Sequence, residues 1–256
     1  MLNNNSNENN INLDMPNDIF RNPNPSKSLP LWQKFALFFG GSVGLYILSF
    51  ICSIILLKMA GMENGPNFSG IATFITYGAL FIALLGVLNK NIIKVSKDHI
   101  IPNLFIGFGI GFGMIVVPII YSVIISLFRT PAVSENEAAL RSFLVIYPFP
   151  SILVLGIVGP ICEELTYRVG LFNLFKKWKW LAYIISSLIF AFMHFGFDSP
   201  DLVNEFINLP IYLFCGFSLA FAYDFFGFWG SVAAHTFNNL YSVIMVLLSH
   251  SLGLLE

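Results

Sequence analysis

The side chains that could carry chemistry in this sequence form a small polar set within apolar segments: Glu163, Glu164, Arg168, His194, His235 and Asn239. A carboxylate can take a proton from water, and imidazole or amide groups can stabilise the oxyanion that forms when that water attacks a carbonyl. The set therefore suits peptide hydrolysis without a covalent intermediate. Alternatively, Zn²⁺ could be ligated by one carboxylate and two imidazoles, with Glu163, His194 and His235 as candidate ligands.

The spacing of these residues predicts which of them pair. On one helix, Glu164 and Arg168 are four residues apart and can form an ion pair, whereas Glu163 points about 100° away and needs a partner from another helix. His235 and Asn239 are also four residues apart and share a helix face. Each ionised group costs about 2.5–3.5 kcal/mol at the centre of a membrane helix, so the cluster indicates a functional site.

The composition excludes a soluble globular protein. The 256 residues are 56% hydrophobic and 11% charged, with 28 Phe and a mean hydropathy of +0.76. A net charge of −1 also gives no basic surface for nucleic acid. The three cysteines, Cys52, Cys162 and Cys215, lie in apolar runs and are predicted to be small buried side chains.

A membrane helix needs about 20 apolar residues, so the chain has room for six to eight spans. We predict an all-α, polytopic transmembrane helix bundle of about seven, at 35–57, 68–88, 100–128, 143–175, 181–197, 207–226 and 228–250. Before them, residues 1–30 are rich in Asn and are predicted to be a disordered cytosolic tail. Residues 31–130 would hold the N-terminal helices, and residues 131–256 a catalytic transmembrane core.

The distribution of basic residues predicts the orientation. With the N-terminus inside, the cytosolic side receives nine, namely Arg21, Lys27, Lys34, Lys90, Lys94, Lys97, Lys176, Lys177 and Lys179. The opposite side receives only Lys58, Arg129 and Arg141. This asymmetry predicts a multi-pass plasma-membrane protein with a cytosolic N-terminus, and the composition fits a bacterium.

Glycine and proline predict two local features. Gly107, Gly109, Gly111 and Gly113 form two overlapping GxxxG pairs that permit close helix approach. Pro160 follows Gly159 and should kink the fourth span just before the charged residues.

Simple helix geometry predicts the depth of the polar residues. At 1.5 Å per residue, Glu163 and His194 lie about 20 Å and 21 Å from the cytosolic ends of their spans. His235 and Asn239 would be only about 10 Å and 16 Å deep. This offset of several Å requires tilt, a re-entrant segment or a shifted boundary.

Other hydrolytic chemistries find less support in the motifs. The sequence has no HExxH helix for zinc and no GxGD for a diaspartyl site. Gly216-Phe217-Ser218-Leu219 lacks the second glycine of a nucleophile elbow.

Three motifs in order resemble a known family. They are EExxxR at residues 163–168, FxxxH at residues 190–194 and HxxxN at residues 235–239. The stretch 140–245 resembles the CAAX protease and bacteriocin-processing family, also called CPBP or Abi, which includes the Ras-converting prenyl protease.

The resemblance implies an intramembrane peptidase with its site in a cytosol-facing cavity. Glu163 would activate water with help from His194, and Glu164 would orient or tune it through Arg168. His235 and Asn239 would form the oxyanion site, and Phe190 would have an orienting role. The resemblance leaves open whether a metal takes part. The implied partners are membrane lipid and a peptide or a prenylated or otherwise hydrophobic protein substrate, without nucleic acid.

Two other functions remain open. A non-catalytic membrane regulator or bacteriocin immunity protein could use the polar cluster to bind a partner. A proton-coupled transporter could use Glu163 and His194 as a relay, although the sequence has no inverted repeat to support it.

Overall fold

The structure is a computed structural model that describes residues 29–59, 61–63, 65–91, 100–130 and 132–254. All of its regular elements in those ranges are helical, which confirms the predicted all-α membrane bundle. Of the predicted N-terminal tail, residues 1–28 lie outside the described residues. Leu29 is 4% exposed and packs into the hydrophobic core, so the packed part of the chain already includes this residue.

Most of the predicted spans correspond to long helices. Within the described ranges, four helices are long and apolar enough to cross a membrane alone: α1 (Leu31–Met59), α2 (Pro66–Leu88), α3 (Ile100–Ser126) and α5 (Pro148–Phe175). A fifth, Leu202–Ser251, is 50 residues long. Two shorter helices are α4 (Glu135–Ile146) and α6 (Lys179–Met193).

The fifth long helix is interrupted at Gly227. There the backbone has φ 69° and ψ −167°, a conformation that a side chain would strain and that glycine permits. We therefore describe it as α7, residues 202–226, and α8, residues 228–251. This break lies at the predicted junction between the last two spans.

The start of the fourth predicted span, at residue 143, is wrong. Residues up to Ile146 belong to α4, whose first turn is capped by the Ser134 hydroxyl, which accepts a hydrogen bond from the Glu137 amide. Tyr147 then leaves the helical region and α5 begins at Pro148. The cause is local, because a residue before proline disfavours the α conformation and proline fits the first helical turn.

The predicted interruption at Pro160 takes the form of a π-helical turn. This turn covers Val154–Val158, and the backbone stays helical through Gly159 (φ −56°, ψ −58°). A wider turn before the proline accommodates a ring that would otherwise meet the preceding carbonyl. A second π-helical segment, Glu164–Phe172, follows and is buried throughout.

Only one of the two GxxxG pairs lies at a close helix contact. A methyl group added to Gly107 would lie 2.4 Å from the Gly230 carbonyl oxygen. A methyl group added to Gly111 would lie 2.7 Å from the Ala234 carbonyl oxygen, and both of these oxygens belong to α8. A methyl group added to Gly109 or Gly113 would have no neighbouring atom within 4 Å. Gly107 and Gly111 therefore let α3 seat directly against the α8 segment that carries His235.

Candidate active site

Glu163 and Glu164 lie where α5 changes from α-helical to π-helical geometry. The Glu163 side chain is 22% exposed and lines a cavity, whereas the Glu164 side chain is fully buried. Two adjacent carboxylates thus have different surroundings, which permits different roles.

Two imidazoles from other helices face the Glu163 carboxylate. Nε2 of His194 lies 3.8 Å from Oε2 of Glu163, and Nε2 of His235 lies 3.7 Å from the same oxygen. Both separations exceed direct hydrogen-bonding distance, and this oxygen has no hydrogen-bond partner among the described residues. The Glu163 carboxylate and the two imidazoles, each of which can hold a proton, therefore lie close together around Oε2 of Glu163.

The other ring nitrogens determine the imidazole tautomers. Nδ1 of His194 lies 2.8 Å from the Phe190 carbonyl oxygen, which can only accept, so this nitrogen carries the proton. Nδ1 of His235 lies 2.9 Å from Oε1 of Glu164, which acts as the acceptor beside the positive Arg168. In the neutral state both Nε2 atoms are thus unprotonated and directed at Glu163.

Glu164 and Arg168 form the predicted ion pair next to His235. Nε of Arg168 lies 3.3 Å from Oε2 of Glu164, and neither side chain has any exposed surface. The guanidinium carbon also lies 5.0 Å above the centre of the Phe190 ring. The buried charges therefore have each other and an aromatic face as partners.

Phe190 connects the parts of the site. Its ring centre lies 4.6 Å from that of His194 and 5.8 Å from that of His235, and it packs edge-on against Tyr167. One ring thus contacts both imidazoles and the cation that holds Glu164. This arrangement gives the FxxxH spacing a physical reason.

Asn239 lines the cavity one turn beyond His235. Its Nδ2 donates to the Leu155 carbonyl oxygen at 3.0 Å, a group in the π-helical turn of α5. One of its two amide protons therefore ties α8 to α5. The second remains suitable for the predicted oxyanion role.

His194 is placed differently from the prediction. The fifth span was predicted to extend to residue 197, but α6 ends at Met193 and His194 caps it (φ −101°, ψ 1°). The predicted depth offset of His235 is wrong, because both imidazoles reach the same oxygen of Glu163. Depth counted from predicted span ends ignores how helices of unequal length pack.

Two residues that support His194 were missed from sequence. The Tyr212 ring stacks on the imidazole, with centres 5.1 Å apart and planes at 24°, and its hydroxyl lies 2.6 Å from Oγ of Ser134. Glu205, 1% exposed, accepts hydrogen bonds from the amides of Glu135 and Gly196. Glu205 could have been noticed in the sequence, because it is an acidic residue near the start of an apolar helix. A tyrosine in an apolar run gives no signal.

A GxSxG pattern also occurs at residues 40–44. Its Ser42 lies inside α1, where the hydroxyl donates to the Phe38 carbonyl oxygen at 2.6 Å. A nucleophile elbow requires a sharp turn between a strand and a helix. The pattern therefore has the wrong structural context.

The site lies at the base of a cavity of about 950 Å³. Apolar side chains such as Met114 and Ile115 form much of its wall, with Glu163, His194 and His235 among its polar lining. This volume is large enough for several residues of an extended peptide.

The donor types of Glu163, His194 and His235 are those that Zn²⁺ prefers. Within the described part of the chain, however, no group of three or more His, Cys, Asp or Glu side chains is arranged to hold a metal ion.

Comparison with known proteins identifies the segment that contains this site. Residues 145–241 match the family model described as type II CAAX prenyl endopeptidase Rce1-like. The three motifs lie inside that range. No solved structure matches the chain significantly.

Several curated bacterial proteins are similar to the chain. The "UPF0177 protein in abiGi 5'region" of Lactococcus lactis subsp. cremoris is 33% identical over 149 residues, which cover 55% of this chain and 61% of that protein. The "Putative membrane peptidase YdiL" of Bacillus subtilis (strain 168) is 36% identical over 117 residues, or 44% of each chain.

A second Lactococcus lactis protein, "UPF0177 protein YaiH", is 34% identical over 152 residues and 59% of its length. The matched region thus spans about three fifths of the two Lactococcus relatives. These matches confirm the resemblance seen in the motifs: residues 145–241 are similar to the Rce1-like CAAX prenyl endopeptidase family.

Proposed function

We propose that this protein is an intramembrane endopeptidase of the CAAX protease and bacteriocin-processing type, which hydrolyses a peptide bond with water activated by Glu163. The observation that carries the proposal is the convergence of Nε2 of His194 and Nε2 of His235 on Oε2 of Glu163, an atom without a hydrogen-bond partner among the described residues. It lies at the base of a cavity that can hold a peptide.

In the first step, Glu163 takes a proton from water while the water oxygen bonds to the substrate carbonyl carbon. Nε2 of His194 lies 3.8 Å from the same carboxylate oxygen and helps to orient the water. General base catalysis of this kind contributes about 10²–10⁴ in rate.

The carbonyl oxygen then becomes an oxyanion that needs donors. His235 can donate from Nε2 when it takes a proton from solvent in the cavity before the substrate binds; it keeps that proton through the cycle, and the Glu164 carboxylate on Nδ1 stabilises the imidazolium. The free amide proton of Asn239 is a second donor. Such donors are worth about 2.7–4 kcal/mol each in other hydrolases.

In the last step, the proton held by Glu163 passes to the leaving nitrogen and the C–N bond breaks. The products are a new carboxyl terminus and a new amino terminus, so one water is consumed for each bond. Arg168 and Phe190 take no proton. They hold Glu164, and through it the ring of His235.

Comparative proteomics of membrane peptides tests this function and names the substrate. Membranes with the wild-type protein should contain cleavage products that are absent when Glu163→Gln replaces it at equal abundance. Identical peptide sets would contradict peptidase activity and favour a binding or regulatory role.

A further inference from the structure

The start of α4 forms part of the cavity wall. Residues 132–137, which we call the α4 entry segment, contribute four lining residues: Ala132, Val133, Asn136 and Glu137. Asn136 and His194 also line a second, smaller cavity of about 360 Å³. A substrate in the main cavity would therefore lie against the α4 entry segment, and this segment lies beside His194.

Two side chains from α7 attach the α4 entry segment to the rest of the protein. Oε1 of Glu205 accepts a hydrogen bond from the Glu135 amide at 2.9 Å, and the Tyr212 hydroxyl lies 2.6 Å from Oγ of Ser134. Glu205 and Ser134 are each 1% exposed. Loss of either contact would leave a buried polar group without its partner, so both attachments should persist in the folded protein.

The same two side chains hold the end of α6 that carries His194. Oε2 of Glu205 accepts a hydrogen bond from the Gly196 amide at 3.0 Å. The Tyr212 ring stacks on the His194 imidazole, with centres 5.1 Å apart and planes at 24°. His194 follows the last residue of α6, so its placement depends on the segment after it as well as on the helix before it.

Gly196 lets these segments approach closely. A methyl group added to Gly196 would lie 2.9 Å from Cβ of Glu135 and 3.3 Å from Cδ of Glu205. The turn after α6 therefore packs directly on the start of α4, and the Glu205 carboxylate lies between them with one oxygen bound to each. A carboxylate can accept at both oxygens, whereas a carboxamide would present a donor to one of the two amides.

We propose that Glu205 and Tyr212 are positioning residues that fix the orientation of the His194 imidazole relative to Glu163. They act through His194 and take no proton in the reaction. Because the same side chains hold the α4 entry segment, His194 and this part of the substrate-facing wall are fixed together. The inference rests on the proposed peptidase function for its effect on rate, and on the contacts alone for the orientation of His194.

The orientation of His194 determines which nitrogen it presents to the water. Nδ1 lies 2.8 Å from the Phe190 carbonyl oxygen, and Nε2 then faces Glu163. The terminal torsion of a histidine side chain is broad, so the stacked Tyr212 ring restricts a rotation that the torsion itself permits. Without that ring the imidazole can leave the Phe190 carbonyl, and the proton can then move from Nδ1 to Nε2.

Nitrogen-15 NMR of histidine-labelled protein in micelles measures the tautomer of His194 without any need for activity. The wild type is compared with Tyr212→Leu, which removes the stacked ring, with Tyr212→Phe, which keeps it, and with Glu205→Gln. The spectrum of His194→Gln identifies the His194 signals by their loss. Tyr183→Leu is the structural control, because it removes a packed ring near the other end of the same helix.

We expect the wild type, Tyr212→Phe and Tyr183→Leu to hold His194 protonated at Nδ1. Tyr212→Leu and Glu205→Gln should each lose at least about half of this form. Unchanged His194 signals in Tyr212→Leu, or a loss of the form as large in Tyr183→Leu, would overturn the inference. If Glu205→Gln does not fold, the comparison of Tyr212→Leu with Tyr212→Phe decides.

Kinetics provide the second measurement, with an apolar peptide that the wild type cleaves. Tyr212→Leu should lower kcat at least about tenfold and change KM less than about twofold, because it misplaces a group at the reacting water. Tyr183→Leu should lower stability and leave kcat unchanged. An unchanged kcat in folded Tyr212→Leu would also overturn the inference. Failure of the peptidase function would appear separately, as unchanged peptides with Glu163→Gln.

Discussion

Nδ1 of His235 lies 2.9 Å from Oε1 of Glu164, while Nε2 of the same ring faces Oε2 of Glu163 at 3.7 Å. One imidazole therefore connects the two adjacent carboxylates. Its Nδ1 is occupied by the buried acid, and its Nε2 is left for the acid in the cavity. This relationship gives the doubled Glu of the EExxxR motif two separate tasks.

We expect the loss of either Glu164 or Arg168 alone to destabilise the fold more than the loss of both charges together. Arg168→Met alone leaves a buried carboxylate without its cation and should lower the free energy of unfolding by about 3–5 kcal/mol. Glu164→Ala should likewise lower the folded yield, because it strands Arg168. Adding Glu164→Gln to Arg168→Met should restore most of the stability, measured by unfolding in mixed micelles. A double variant no more stable than Arg168→Met would contradict this.

We expect a side chain at Gly111 to disrupt the contact between α3 and α8, and a side chain at Gly109 to leave it intact. Gly111→Ala places a methyl group 2.7 Å from the Ala234 carbonyl oxygen, next to His235, and should destabilise the protein by about 1–3 kcal/mol. Gly109→Ala is the matched control, because nothing lies within 4 Å of its added carbon. Thermal unfolding in detergent compares the two. Equal midpoints would refute the assigned interface.

Acid is expected to loosen the first turn of α7. The pKa of Asp201 is held below its ordinary 3.8, chiefly by the hydrogen bond from the Asn204 amide and further by Arg129. A depressed pKa stabilises the fold above the unfolded value, and that contribution is lost as pH falls through the folded one. Amide exchange at residues 202–205 should therefore rise below about pH 3.8.

Asp201→Ala should show faster exchange at neutral pH as well, since it removes the cap. A pH-independent exchange rate in the wild type between pH 5 and pH 2, after correction for intrinsic chemistry, would contradict the role of this carboxylate.

Peptide cleavage is expected to survive metal chelation. Proton transfer by Glu163 needs no metal in the proposed steps, so prolonged dialysis against a strong chelator should change the rate less than about twofold. A loss of at least about tenfold that added Zn²⁺ restores would place Glu163, His194 and His235 around a metal instead.

Much of the fold was predictable because the composition leaves few choices. Long apolar runs predict membrane helices, and the flanking lysines mark their ends. The split of Leu202–Ser251 at Gly227 was also foreseeable from the short apolar junction. The separate helix α4 was missed because Glu135–Ile146 is amphipathic and continues directly into an apolar run, so only Pro148 marks the boundary.

The site was predictable as a set of residues but not as an arrangement. The cost of burying Glu163 and the i,i+4 spacing of Glu164 with Arg168 indicate which side chains matter. Tautomers, and the support of His194 by Tyr212 and Glu205, depend on contacts between distant segments.

The central claim is that Glu163 activates the water that cleaves the peptide bond. The most direct measurement compares purified wild-type protein, Glu163→Gln and the exposed control Glu63→Gln in proteoliposomes with a quenched-fluorescence library of apolar peptides. We predict cleavage by the wild type and by Glu63→Gln at similar rates, and at least about 100-fold slower cleavage by Glu163→Gln with unchanged folded yield. Full activity of Glu163→Gln would contradict the account.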